Sequence, residues 1–350
     1  MLTDLEIAQW RLNNQHIAHQ IFKTPEEVVN YMGAVQAQDY AGAKWAIGLR
    51  MQKSGDAMID KAMADGRIIR THVLRPTWHF ISPADARWMI DMTAPRINAF
   101  NASWYRKLQL DSSVFNKAND ALAKALEGGK QLNRTEVMNA LNHAGIKTDD
   151  LRFIHLLMRA ELDKVVCSGG REGKQFTYAL FDDRVPMAAP LSRDESLAAL
   201  AGRYFNSRGP ATLKDFAWWG GITLSDARIG VEASKNELIS IVENGHEFWM
   251  AGEPPVAVAK SSGAYLLPAF DEFAVAYADR TAIVRPKYLE QAKHVIFDPS
   301  IVVNGQVVGT WTRTLKKQGV EVALNLFGKI SQAQQQRAEA AAARYRKFIG

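Results

Sequence analysis

Three loosely repeated blocks of helical and strand-like patterning run along this chain. Thr24-Pro25-Glu26-Glu27 combines an N-cap, a proline at the first helical position and a glutamate three residues after the cap, which is a capping box. Val28, Val29, Tyr31, Met32 and Val35 follow at helical spacing, and the helix should be ending where Gly33 begins the run to Tyr40. A second helix is predicted over 57–64, closed by Asp65-Gly66. Residues 68–74 and 77–81 then read as two short strands around Arg75-Pro76. Helices followed by a compact hairpin are the ingredients of a winged helix.

The block recurs. Leu132-Asn133-Arg134-Thr135-Glu136 opens a helix through Leu141, Asp150 begins another through Leu162, and strands at 165–168 and 176–180 flank a basic, glycine-rich tip at 169–174. A third copy is suggested by helices over 195–205 and 225–233, with the turn Gly209-Pro210-Ala211-Thr212 feeding a helix between them. From about Phe248 the texture changes to strands at 256–260, 264–267, 301–303 and 306–311. Asn304-Gly305 supplies a type I′ hairpin turn. An alanine- and glutamine-rich helix over 332–348, carrying Arg337, Arg344 and Arg346, closes the chain as a solvated helix packed on one face. The expected fold is α+β: winged-helix units at 1–115, 116–190 and 191–247, then a β-rich C-terminal region with the closing helix at 248–350.

Composition narrows the class. The chain has 350 residues, 47% hydrophobic and 23% charged, which are ordinary globular values. No stretch approaches the roughly 18 apolar residues of a membrane helix, and the N-terminus shows no secretory pattern. Cys167, the single cysteine, cannot form an internal disulfide or a thiolate zinc cluster, and its apolar strand makes it a packed core thiol. A soluble cytoplasmic protein is expected. The net charge of +6 fits nucleic acid without demanding it, and no run of like charges marks a binding tail.

Several chemistries are missing. There is no Gly-x-Gly-x-x-Gly and no Gly-x-Ser-x-Gly elbow. Residues 169–174 fail the spacing of a phosphate loop, and Met250 stands where His246-Glu247 would need a second zinc ligand. No cofactor and no metal are therefore expected.

The most unusual local feature is Gly33-Ala34-Val35-Gln36-Ala37-Gln38-Asp39-Tyr40. If the chain is extended there, Gln36 and Gln38 point to one side and Ala37 to the other. If it stays helical, the two glutamines are roughly 200° apart and cannot share a site; they are then simply polar residues leaving a helix.

Over nearly its whole length the sequence resembles the AlkZ-like winged-helix DNA glycosylases, a group that includes the YcaQ/AlkX homologues. The resemblance rests on Val35-Gln36-Ala37-Gln38, on Leu74-Arg75-Pro76-Thr77-Trp78-His79, and on Gly209-Pro210-Ala211-Thr212 with Trp218. It continues through Leu267-Pro268-Ala269-Phe270-Asp271, Tyr277-Ala278-Asp279-Arg280, and Val303-Asn304-Gly305 with Gly309-Thr310-Trp311. What the resemblance implies is a concave DNA-binding scaffold of three tandem winged helices, a Gln-Φ-Gln or Gln-Φ-Asp catalytic motif, and excision of alkylated purines, including some interstrand crosslinks. This chain carries the Gln-Φ-Gln form, with Gln38 where the YcaQ-like form has aspartate.

Two neutral amides cannot act as general bases, but they can orient a water and place carbonyl dipoles near developing positive charge. A cationic N7- or N3-alkylpurine is already an activated leaving group, so such a site suits that lesion class and not a neutral base. Asp39 is a candidate base, although an extended chain turns it away from the glutamines. Thr77 and His79 alternate with Trp78 and Phe80 on a predicted strand. If the aromatics face the core, Thr77 and His79 face out and line the site; the competing reading is a structural histidine. Arg75, Arg171 and Lys174 are the candidate DNA contacts, the last two in the hairpin tip. Trp218 and Trp219 read as core. Asp271, Asp279 and Arg280 read as an ion-pairing and capping set. The partner expected is double-stranded DNA bearing alkylated bases, bound by a monomer at the nucleoid. The rival reading is a non-catalytic winged-helix regulator, which would bind one operator-like sequence.

Overall fold

Capping chemistry sets where the first helices begin. Thr3 accepts the Glu6 amide at the start of α1 (Asp4–Asn14), and Thr24 accepts the Glu27 amide at the start of α2 (Pro25–Met32), with Pro25 where the sequence predicted it. Gly33 stops α2 in the left-handed region at φ 70°; β1 (Ala34–Gln36), α3 (Tyr40–Leu49) and α4 (Asp56–Ala64) follow. The computed structural model describes residues 3–243, 245–252, 262–317 and 319–350. The chain forms two compact units, one from the segment ending at Ile59 together with Leu197–Gly350, the other from Asp60–Ser196.

The unit Asp60–Ser196 begins with an antiparallel hairpin of β2 (Ile69–Val73) and β3 (Thr77–Ile81). α5 (Pro83–Lys107), α6 (Ser112–Leu126), β4 (Leu132–Asn133), α7 (Arg134–His143), α8 (Asp150–Leu162), β5 (Val166–Glu172), β6 (Gln175–Leu180) and the single turn α9 (Phe181–Arg184) follow. The second sheet has the order β4-β6-β5. Phe115, Leu122 and Leu126 of α6 meet Val137 and Leu141 of α7 and Phe153 and Leu156 of α8 in one core. The two hairpins are joined through Arg70, whose guanidinium lies between the rings of Trp78 (4.3 Å) and Phe176 (4.6 Å), and whose amide donates to Ser168 Oγ at 2.7 Å. Glu161, buried on α8, accepts the His72 amide at 2.8 Å and meets His72 Nδ1 at 2.6 Å.

The other unit continues through α10 (Arg193–Arg208), α11 (Leu213–Gly220) and α12 (Leu224–Ala233) to a hairpin of β7 (Leu238–Glu243) and β8 (His246–Ala251); Ala211 bridges to Trp249. β9 (Ala264–Leu267), the short α13 (Glu272–Val275), β10 (Ser300–Val303), β11 (Gln306–Leu315), β12 (Val320–Leu326) and α14 (Gln332–Ile349) complete it. The last four strands form an antiparallel sheet in the order β12-β11-β10-β9. Asn304 and Gly305 both have positive φ, 54° and 89°, as the type I′ turn between β10 and β11 requires. The chain presses Gly305 against α1: a Cβ there would lie 3.2 Å from the Gln9 amide nitrogen. α14 buries Ala338, Ala342, Tyr345 and Phe348. Phe348 and Tyr345 pack on Trp45 of α3, and Arg344 donates to the end carbonyls of α3 at Gly48 and Leu49.

The predicted mixture of helices and small sheets is what forms. β4, β7, β8 and β12 are not predicted by the sequence pattern, and the strand predicted at 256–260 lies outside the described residues. Trp219 is fully buried, but Trp218 is 45% exposed, because its indole N–H reaches the Val275 carbonyl at 3.0 Å and holds the ring at the surface. That corrects the expectation that both are core. The order helix, strand, helix, helix, strand, strand recurs along the chain: in α2 to β3, in α6 to β6, and in α10 to β8, where the Ala211 bridge stands for the first strand.

Candidate active site

Gly33 turns the chain out of α2 and β1 begins at once. A side chain at position 33 would crowd Arg203 Cβ, 3.1 Å from the added carbon. Ala34 and Val35 are buried, Gln36 is 6% exposed and Ala37 is fully buried. The chain is extended as far as Gln36, the branch of the sequence reading in which the glutamines could share a side. The strand then ends, so strict alternation does not carry on to Gln38, which lies exposed in a bend with Asp39. The extended-chain reason for turning Asp39 away from the glutamines does not hold at this bend. Asp39 precedes α3 without capping it, and its carboxylate lies against Gly42: a Cβ on Gly42 would stand 2.6 Å from Asp39 Oδ2 and 3.2 Å from Pro268 Cβ.

What holds β1 is a buried ion pair. Arg208 and Glu272 have no exposed side-chain surface and meet at 2.6 Å. Arg208 also donates to the carbonyls of Met32 and Ala34, each at 2.7 Å, and stacks on Trp219. Glu272 accepts the Trp219 indole N–H at 2.9 Å on Oε2 and, on Oε1, the backbone N–H of Gln36 at 2.9 Å. One cation and one anion thus fix three backbone groups on or next to the three-residue strand. Beside them, Asp271 holds Arg50 through two contacts of 3.0 Å, Gln15 accepts from Arg50 at 2.6 Å, and Gln15 in turn donates to the Tyr277 hydroxyl at 3.0 Å. That hydroxyl donates to the Arg208 carbonyl at 2.8 Å, and burial pushes the phenol up to about 12. Lys44, the lysine nearest the motif in sequence, is buried and paired with Asp56 at 2.6 Å.

Asp271 does pair and cap, through Arg50 and the Phe273 amide at 2.9 Å. Asp279 accepts from the Thr281 amide, while Arg280 donates to the carbonyls of Ala274 and Ala278. Glu272, Arg208, Arg50 and Gln15 were not singled out from sequence. Glu272 adjoins the quoted Asp271 and Arg208 adjoins Gly209-Pro210, but pairings 64 and 236 residues apart leave no periodic signal.

The remaining candidates lie in the unit Asp60–Ser196. On β3, Thr77 and Trp78 are partly exposed and His79 and Phe80 are fully buried. The expectation that His79 faces out is therefore corrected, and its burial fits the competing reading of a structural histidine. Trp78 stacks on Arg70 and meets the His72 ring at 4.4 Å, and His79 Nδ1 lies 3.0 Å from the Thr77 carbonyl. Arg75 sits, partly exposed, in the tight turn between β2 and β3, after Leu74 at φ 63°. The basic tip is also shorter than predicted. β5 runs on to Glu172 across a bulge between Ser168 and Arg171, so only Gly173 and Lys174 make the turn. Lys174 is exposed, whereas Arg171 lies in the strand, donating to the Lys174 carbonyl at 2.8 Å and covering the Phe176 ring. Cys167 is buried, which pushes its thiol up to about 12 and makes it the core residue expected.

Among known proteins, the chain is 22% identical over 331 residues to an interstrand DNA cross-link repair glycosylase of Streptomyces sahachiroi, covering 87% of this chain and 86% of that protein. The solved structure of the Streptomyces sahachiroi DNA glycosylase AlkZ superposes with a TM-score of 0.81 at 20% identity, over 99% of this chain and 96% of that one, and so shares its fold. The sequence model of the family described as DNA glycosylase AlkZ-like matches residues 29–348, from the middle of α2 nearly to the end of α14. By that match the chain belongs to the AlkZ-like DNA glycosylase family.

Proposed function

We propose that the chain hydrolyses the N-glycosidic bond of cationic N7- and N3-alkylpurines in double-stranded DNA, with Gln36 and Gln38 as the catalytic pair. The observation that carries this reading is the clamp on β1: a desolvated Arg208–Glu272 pair spends its hydrogen bonds on the backbone that presents Gln36. Polar groups stabilise a transition state best when they are already fixed where charge will develop. The alkylpurine leaves as a neutral base, so the site need supply only water and stabilisation of a sugar that turns oxocarbenium-like. The side-chain carbonyls of the glutamines face that positive charge and orient the water. Asp39, in the same bend as Gln38, is the nearest carboxylate in sequence to take the water's proton; Glu272 has both oxygens occupied and no exposed surface.

His79, fully buried on β3, is left out of the catalytic set. Arg75, Arg171 and Lys174 supply phosphate contacts. The repeated element order, with its three hairpins, supports three winged helices at 1–115, 116–190 and 191–247, ahead of the C-terminal region at 248–350. Because the relative from Streptomyces sahachiroi bears the name of a cross-link repair enzyme, crosslinked purines belong among the substrates to be tried. A monomer suffices for this reading.

Single-turnover excision from a duplex carrying one 7-methylguanine tests it. Gln36→Ala and Gln38→Ala should each lose a factor of about 10²–10³ in rate while binding DNA as before. Wild-type rates in both variants would remove the assignment.

A further inference from the structure

Phe270 is the residue that the clamp leaves unexplained. It has φ 60°, in the left-handed region that a bulky side chain rarely adopts, and it is partly buried, close to buried Pro268 and next to buried Asp271. Its amide is tied to the Ile296 carbonyl at 2.7 Å, and its ring meets Phe297 edge to face, with centroids 5.6 Å apart at 90°. Phe297 is 61% exposed. A strained backbone here sets a partly buried phenylalanine against a second, exposed one. Such strain persists where it serves a site.

The position of the pair gives it a use. The segment 268–272 runs beside the segment 36–42 and touches it at both ends: Glu272 Oε1 accepts the Gln36 amide, and Pro268 lies against Gly42 next to the Asp39 carboxylate. Phe270 is at the middle of that segment, between the two contacts. Aromatic faces next to a site that acts on DNA bind nucleobases by stacking, and every base offers a π face. An edge-to-face pair leaves one ring face open for this.

We propose that Phe270 and Phe297 form an aromatic step beside the Gln36–Asp39 bend, on which a nucleobase next to the lesion stacks while the glycosidic bond is cleaved. The proposal rests on the reading that this bend faces the substrate. The step acts in binding and leaves the bond-breaking groups alone. Phe297→Ala should therefore weaken affinity for a duplex with one 7-methylguanine by about 5- to 100-fold, the range for loss of one stacked base. The saturating single-turnover rate should stay within about threefold of wild type. Phe270→Gly should show the same loss of affinity, its relief of the left-handed backbone offsetting part of the burial lost with the ring.

The test is a binding series on duplexes that each replace one base within three positions of the lesion by a tetrahydrofuran. If the step stacks on a base, the penalty of Phe297→Ala disappears on one of these duplexes and persists on the others. A penalty equal on all of them means contact with the backbone and overturns the proposal, as does unchanged affinity in both variants. Gln38→Ala is the control on the underlying reading. If it excises normally, the bend is not the site; if it is dead while both phenylalanine variants bind normally, only the aromatic step is wrong.

Discussion

Glu272 shows how a single side chain governs the candidate site. It accepts hydrogen bonds from Arg208, Trp219 and the backbone of Gln36, with no exposed surface. Glu272→Gln keeps the shape and removes the charge, leaving a buried guanidinium without its counter-ion. Breaking such a pair from one side costs about 3–5 kcal/mol. We expect urea denaturation to show a loss of that size; a change under about 1 kcal/mol would mean that the pair does not hold the strand. Lys44 is committed to Asp56, so cleavage should proceed by water without a Schiff base. Borohydride trapping of a protein–DNA adduct would contradict this.

At the scale of the element, the hairpin of β5 and β6 divides its two basic residues by role. Lys174 stands exposed in the turn, and Arg171 is partly used up on the Lys174 carbonyl and the Phe176 ring. Each phosphate contact contributes about 0.9 to the slope of log affinity against log salt. Lys174→Ala should flatten that slope by about one unit, equally on unrelated duplexes, and leave thermal stability unchanged. Arg171→Ala should flatten it by less and lower the melting temperature, since its stem and guanidinium cover an aromatic ring. Salt titrations of binding on two random duplexes, with a thermal melt of each variant, separate the two outcomes. A strong preference of the wild-type protein for one of the sequences would favour a regulator's mode of binding.

At the scale of the whole molecule, buried neutral acids set the alkaline limit. Burial pushes Tyr31 and Tyr277 in one unit, and Cys167 and Tyr178 in the other, up to about 12. Unfolded thiols and phenols titrate near 8.5 and 10. Below those values the groups are neutral in both states and their contribution is constant. Above them the unfolded chain releases protons that the folded chain retains, so stability falls as pH rises toward 12. The urea midpoint should be flat from pH 7 to 8 and drop steeply between pH 9 and 11.5. Cys167 should resist thiol reagents at pH 8 until the protein is unfolded. A flat midpoint up to pH 11 would mean that these groups are solvated.

Local chemistry was legible in the sequence wherever its cause is local. The capping box at Thr24, the stop at Gly33, the Asn304-Gly305 turn and the closing helix each depend on residues within a few positions of one another. Gln36 and Gln38 stood out for the same reason, as a polar pair directly after a helix stop. What the sequence could not determine is which face of a strand is buried or what fixes a backbone from far along the chain. His79 is buried although Trp78 and Phe80 keep the opposite face, because the folded chain covers both faces of the hairpin. The tip at 169–174 shrank because the ladder with β6 extends past the glycines. The Arg208–Glu272 pair joins residues with no sequence relation to β1. Propensity and capping act over one helical turn, but burial of a charge is decided only by whatever the folded chain brings alongside it.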